Sequence, residues 1–219
     1  MIIKEVLRLS LEDVRKQNKE RVVEAALKCF SVNGIENTKV SDIAKQGGIT
    51  ERSVYRYFNT KADLVLEAAL LFWAQSVEKS KKVYARTQHD SLPGTEQIRL
   101  VLKAYADQYF VARKELLFIQ EAEAYLSRNN MIHLIRNDLP SDFYKGITPL
   151  AKAILKGIKD GTVKCSEERA ERLYYNSYDS LLGLMQKMAN TPADSPSMNP
   201  GEKERLDEFC DMLTDYFCR

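Results

Sequence analysis

Seven consecutive residues, Glu51-Arg-Ser-Val-Tyr-Arg-Tyr57, concentrate polar chemistry of one kind. An arginine presents paired N–H donors to guanine or to a phosphate, serine and tyrosine hydroxyls bond phosphate oxygens or base edges, and a glutamate accepts from the amino group of cytosine. At helical spacing Val54 and Phe58, four apart, face inward together. That leaves Glu51, Arg52, Ser53, Tyr55, Arg56 and Tyr57 for the exterior. Such a short helix suits the groove of a nucleic-acid duplex, and the same spacing equally describes a solvated helix in an α-helical bundle.

Other chemistries find little support. The chain has two histidines and four cysteines, and none of Cys29, Cys165, Cys210 and Cys218 stands in a C-x-x-C pair, so neither metal nor cofactor is expected. There is no phosphate loop and no nucleophile–base–acid set, and paired carboxylates such as Glu121 and Glu123 are common on solvated helices. The chain does not read as an enzyme. Buried, reduced thiols are the expectation. The nearest redox pair in sequence, Cys210 and Cys218, would lie about 12 Å apart along one straight helix, which excludes a disulfide there.

The elements that must position Glu51–Tyr57 are legible around it. A helix opened by Ser10 runs from Leu11 toward Val32, with Val22, Val23, Ala26 and Phe30 on its buried face, and Asn33-Gly34 stops it. Residues Met1–Leu9 are open between a further helical turn and a frayed tail. A second helix, Val40–Gln46, is broken by Gly47-Gly48, Ile49 anchors the turn, and Thr50 caps a third helix, Glu51–Phe58. Two short helices joined by a glycine turn are the pattern of a helix-turn-helix, whose second helix aims its N-terminal residues at base edges.

Here the sequence resembles the TetR family of repressors. The residues that carry the likeness are Arg21-Val-Val-Glu-Ala-Ala-Leu-Lys-Cys-Phe30, Gly34, Thr38-Lys-Val-Ser-Asp-Ile-Ala44, Gly47-Gly-Ile-Thr-Glu-Arg-Ser-Val-Tyr-Arg-Tyr-Phe58, Lys61 and Leu64. The resemblance implies that Thr38 and Ser41 touch phosphate near the start of the second helix. It implies that Glu51, Arg52, Ser53 and Tyr55 face bases, and that Tyr57 and Lys61 reach phosphates. Arg56 would do either, or only add charge. Two positions depart from the family pattern. Gly47 stands where alanine is usual, so the second helix is expected to end early. Arg52 stands where glycine is frequent, which would shift base preference toward guanine.

Beyond Lys61 the expected helices are Lys61 to about Arg86, Glu96–Ala112 after Thr95, Glu115–Ser127, a short piece at Met131–Arg136, Pro140-Ser141 to about Lys159 with a kink at Pro149, Glu167–Ala189 and Glu202–Phe217. Gln88–Gly94 and Asn190–Gly201 read as loops. No strand pattern appears, so the fold class is all-α, with about nine helices. The expected division is a DNA-binding domain over residues 1–60 and a helical ligand-binding and dimerisation domain over 61–219, an arrangement the resemblance supports by architecture alone.

Within the second part, Phe72, Trp73, Tyr105, Tyr109 and Phe118 offer aromatic bodies, and Glu121, Tyr125, Tyr175 and Asp179 offer polar tips, for a small organic effector. The apolar positions Leu181, Leu184, Met185 and Met188, with the stripe Leu206, Phe209, Leu213 and Phe217, suggest a symmetric homodimer, whose two-fold axis would match a palindromic DNA operator. Burial of both helices in their own domain is the alternative.

Composition agrees without deciding. The 219 residues are 44% hydrophobic and 29% charged, enough for a packed core, and nine glycines and six prolines suit long helices. Residues 1–64 carry 12 Lys and Arg against 9 Asp and Glu, a net +3, while the whole chain carries +2. No stretch approaches the roughly 18 apolar residues of a membrane span, and no signal peptide is evident, so a cytoplasmic location is expected. The rival to a ligand-responsive repressor is a helical adaptor that keeps a vestigial helix-turn-helix and works through protein contacts.

Overall fold

The computed structural model describes residues 2–86, 91–138, 146, 148–191 and 201–218, and every regular element among them is helical. In chain order the helices are α1 (Ile2–Asn33), α2 (Val40–Gly47), α3 (Glu51–Tyr57), α4 (Lys61–Arg86), α5 (Gly94–Ala106), α6 (Gln108–Val111), α7 (Arg113–Arg128), α8 (Ile132–Asp138), α9 (Pro149–Lys159), α10 (Glu167–Ala189) and α11 (Glu202–Phe217).

Three expectations change. Residues 2–9 belong to α1, which runs for 32 residues. The single helix expected over Glu96–Ala112 is two, because α5 ends at Ala106 and a four-residue turn of helix follows from Gln108. Pro149 does not kink a helix; it begins α9. Proline has no N–H to lose at a first helical position and its fixed φ suits the entry. Thr148 caps that entry, its hydroxyl oxygen accepting the Ala151 N–H at 3.2 Å. The expected start at Pro140-Ser141 lies outside the described residues, as do 87–90 and 192–200 of the two expected loops.

The chain divides into two compact units whose boundaries fall inside α4 and α7. The first holds α1–α3, α4 as far as Trp73, and α7 from Phe118 onward with α8. Its core is Val22, Ala26 and Phe30 of α1, Ile35, Ile43 of α2, Val54 of α3 and Leu64, Val65 and Ala68 of α4, joined by Phe118, Ile119, Ala122 and Leu126 of α7. The rings of Phe30 and Phe118 stack with centroids 5.8 Å apart. Burying side chains of this size contributes about 1.5–3 kcal/mol each, before the entropy of ordering is set against it.

The second unit packs α5 against α9 and α11, and α10 against α9 and α11. Gly94 permits the closest approach: a Cβ built there would stand 2.1 Å from the Gly157 Cα. The Gly94 N–H donates to the Asp160 carboxylate at 2.9 Å. The Thr162 hydroxyl first, then this bond and the Thr162 backbone N–H, hold the Asp160 carboxyl below its ordinary range. Arg99 and Lys103 of α5 both reach Asp211 of α11, at 3.0 and 3.1 Å. Tyr109 donates its hydroxyl to Glu202 at 2.6 Å.

Candidate nucleic-acid interface

The turn between α2 and α3 is built from local backbone chemistry. Gly48 takes φ +65°, a left-handed conformation that strains any residue with a Cβ. The Gly48 N–H donates to Lys45 O at 3.2 Å and the Ile49 N–H to Ala44 O at 3.0 Å, the pairing of a Schellman helix end. Contrary to the expected early stop, α2 runs through Gly47. Its backbone continues because the left-handed turn falls one residue later. From α1, the Arg21 guanidinium donates to the Gly47 carbonyl at 2.8 Å and braces the turn.

Thr50 caps α3, its hydroxyl oxygen accepting the Ser53 N–H at 3.2 Å. The two side-chain hydroxyls of Thr50 and Ser53 also bond each other at 2.9 Å. Val54 and Phe58 are buried, which turns Glu51, Arg52, Tyr55 and Arg56 outward. These positions recur at one and four residues, so they form a single exposed stripe. Tyr55 keeps 51% of its surface exposed, unusual for so large a ring inside one chain. Arg56 and Tyr57 hold each other: the guanidinium donates to the Tyr57 hydroxyl at 3.2 Å and lies 5.2 Å from the ring centroid.

The same stretch of chain holds the starts of α2 and α4. Ser41 is exposed in the first turn of α2. The Lys39 N–H donates to Asp42 at 3.0 Å, leaving the Lys39 side chain exposed. Thr38 lies inside the fold, 1% exposed, with its hydroxyl donating to Gly34 O at 2.7 Å and Cys29 O at 3.3 Å. Lys61 is half-buried at the start of α4, its ammonium 3.5 Å from Glu36 O. Thr60 and Asp63 cap that helix reciprocally, at 2.9 and 3.2 Å. The exposed cations Lys39, Lys45, Arg52 and Arg56 therefore share one short segment with hydroxyl donors. Such a segment can neutralise phosphates while its stripe reaches base edges.

The nine residues considered for an effector divide between the units. In the first, Phe72 and Trp73 are buried edge to face, 5.1 Å apart. Phe118 stacks on Phe30, and Glu121 accepts the Ile35 N–H at 2.9 Å. Tyr125 is half-buried beneath the Arg128 guanidinium, and burial raises its hydroxyl pKa, as does the charge of Glu36. In the second, Tyr105 packs edge-on to Tyr178 at 6.1 Å. Burial first, then neighbouring Tyr174, pushes the Tyr105 hydroxyl well above the usual tyrosine range. Tyr109 is buried on Glu202, while Tyr175 and Asp179 are exposed. Of the positions considered for a dimer, Leu181, Met185, Met188, Leu206 and Phe217 are buried within the chain itself. Leu184, Phe209 and Leu213 remain half-exposed.

Sequence reasoning missed Arg21, Lys39 and the Glu121–Ile35 bond. Lys39 carried a local signal, Asp42 three residues on. Arg21 and Glu121 carried none, since their partners lie 26 and 86 positions away.

Known proteins share these features. The sequence profile of bacterial regulatory proteins, tetR family, matches residues 22–68. The transcriptional regulator TtgR of Pseudomonas putida is 25% identical over 201 residues, covering 90% of this chain and 92% of that protein. A protein of Mesorhizobium loti classed among TetR-family transcriptional regulators superposes with a TM-score of 0.69 at 17% identity, over 93% of this chain and 96% of its own. The regulator FadR of Bacillus subtilis, solved in complex with stearoyl-CoA, gives 0.59 at 18% identity, over 89% and 97%. At such identities the two structures speak for the fold.

Proposed function

We propose that this chain, whose residues 22–68 match the tetR family of bacterial regulatory proteins, is a TetR-family ligand-responsive repressor that grips a palindromic operator as a homodimer and is released by a small organic molecule. The observation that carries the DNA-binding half is the exposed stripe Glu51, Arg52, Tyr55 and Arg56 on a helix whose opposite side is locked into a core by Val54 and Phe58. In this reading the stripe meets bases, while Ser41, Tyr57, Lys61 and the Thr50–Ser53 turn stand at phosphates. The Thr38 hydroxyl, committed to Gly34, sets the start of α2 and leaves only its surroundings to the backbone of DNA.

The effector half rests on the second unit and on the bound acyl-CoA of the FadR structure, which is a property of that protein. An aromatic and hydroxyl-rich set around Tyr105, Thr148 and Tyr174 would suit an organic molecule of moderate size. Dimerisation would use α10 and α11, where Leu184, Phe209, Leu213, Met212 and Tyr216 keep exposed surface. The division into a DNA-binding part ending near residue 60 and a regulatory part after it, the cytoplasmic location and the non-enzymatic role belong to the same proposal. No helix among the described residues is long and apolar enough to cross a membrane.

The test is an electrophoretic shift with the DNA upstream of the protein's own coding region, titrated between about 50 and 200 mM salt. Sequence-selective binding that weakens linearly in log salt is expected. Binding that ignores salt or sequence overturns the reading. Mass spectrometry of the purified protein then identifies any retained molecule, which should lower operator affinity when added back, because a releasing ligand must prefer the unbound conformation.

A further inference from the structure

The loop from Gly34 to Lys39 joins α1 to α2 and decides where α2 begins. Several of its bonds come from within the helix-turn-helix segment. The Thr38 hydroxyl donates to the carbonyls of Gly34 and Cys29, the Gly34 N–H donates to Phe30 O at 2.9 Å, and the Lys61 ammonium lies 3.5 Å from Glu36 O. Another comes from a distant part of the chain. The carboxylate of Glu121, on α7, accepts the Ile35 N–H at 2.9 Å. Ile35 itself is wholly buried, so this N–H has no ready exchange with water. The other carboxylate oxygen of Glu121 lies 3.4 Å from where a Cβ on Gly34 would be, so the group sits directly against the left-handed residue that ends α1. Two further contacts fix the same stretch of α7: the Phe118–Phe30 stack, and Arg128 at 4.0 Å from Glu36.

We infer that Glu121 is a positioning residue for DNA binding: by accepting the Ile35 N–H it holds the α1–α2 loop, and with it the first turn of α2, in the conformation that receives the operator. The inference rests on the DNA-binding reading above and deepens it. Glu121 touches no DNA in this scheme. It raises the fraction of protein whose loop is ready, and apparent affinity scales with that fraction. It also takes Glu121 from the list of effector contacts, since its carboxylate already serves the loop.

The experiment uses the full chain and an operator obtained by selection from random duplexes. Glu121→Gln keeps a side-chain carbonyl acceptor and removes the charge. Glu121→Ala removes both, and Glu121→Asp keeps the charge one methylene short of Ile35. Losing a part-buried bond to a charged group leads us to expect about tenfold weaker operator binding for the alanine and aspartate variants. The glutamine variant should bind as the wild type does, or more tightly because a negative charge has gone. The slope of log affinity against log salt should be the same in all four proteins, because the contacts in the bound complex are the same. Hydrogen exchange at the Ile35 amide, read without DNA, should quicken in the alanine and aspartate variants and not in the glutamine variant.

Equal affinities across the four proteins, with wild type binding normally, would overturn the inference alone. So would a loss of affinity that follows the thermal midpoint while Ile35 exchange stays slow. Absence of sequence-selective, salt-dependent binding by wild type would instead overturn the regulator reading and this inference with it.

Discussion

Arg21 and Gly47 are 26 positions apart, and the Nη2 of one donates to the carbonyl oxygen of the other at 2.8 Å. Gly47 is the last residue of α2, so its carbonyl is one of those that a helix end leaves without an intrahelical partner. Arg21 supplies the donor and fixes α1 to the turn that orients α3. Arg21→Ala should lower stability by about 0.5–1.5 kcal/mol, read as the urea midpoint, and weaken operator binding beyond the loss of one positive charge. Unchanged urea midpoint and unchanged affinity would make the bond incidental.

The two glycines of that turn should respond with opposite signs. A Cβ on Gly47 would meet the Ala25 Cβ at 3.5 Å, an ordinary contact, and its backbone is helical. Gly47→Ala should therefore stabilise by about 0.4–1 kcal/mol, largely by restricting the unfolded chain. Gly48 has φ +65° and a Cβ there would lie 3.0 Å from the Arg21 Nη2. Gly48→Ala should cost about 1–2 kcal/mol. Thermal melts of both variants, side by side, check the pair, and a shift of the same sign in each would contradict this account of the turn.

Arg52 is exposed on the outward stripe of α3, while the neighbouring cation Arg56 is engaged by Tyr57. Arg52 is thus the better placed of the two to read a base, and an arginine fork matches the O6 and N7 of guanine. Arg52→Ala should relax a guanine preference at one position of each half-site, worth about 1–3 kcal/mol of discrimination. Binding-site selection with both proteins measures it. An identical preferred sequence would rule out base reading by Arg52.

The cysteines should differ in reactivity. Burial first, then the charge of Asp207, pushes the Cys210 thiol up to about 12, and it is fully enclosed. At neutral pH it stays a protonated, inert thiol, because the thiolate is the nucleophile. Cys218, at the end of α11, is exposed. A maleimide added to the native protein should label Cys218 before Cys165 and leave Cys29 and Cys210 unmodified until denaturant is present. Peptide mass mapping gives the order, and early labelling of Cys210 would mean that α11 opens readily.

What could be read from sequence was whatever local chemistry controls. Gly34 and Gly48 end or turn helices where expected because their positive φ values are set within a few residues. Glu51, Arg52, Tyr55 and Arg56 turn outward as the inward Val54 and Phe58 require, while Ser53 and Tyr57, also expected outside, are half-buried. Pro149 was misplaced because apolar periodicity continues across it, although a capping threonine directly before a proline is itself a start signal. The break at Asp107 left no mark, since no glycine or proline stands between Glu96 and Ala112. The bonds Glu121–Ile35 and Arg21–Gly47 were invisible for a different reason. They depend on how distant helices pack, and no spacing within one helix encodes that.

The division of α7 has a consequence for the ribosome. The core that holds the recognition helix is completed by Phe118 and the residues after it, and 45 positions separate Phe118 from Trp73, where the first stretch of that unit ends. At about 5–20 residues per second, synthesis takes about 2–9 s to cross that gap. Through that interval the emerging helix-turn-helix has neither the ring that stacks on Phe30 nor the carboxylate that holds Ile35. A nascent chain therefore does not acquire its finished DNA-reading surface until more than half of the protein has been made.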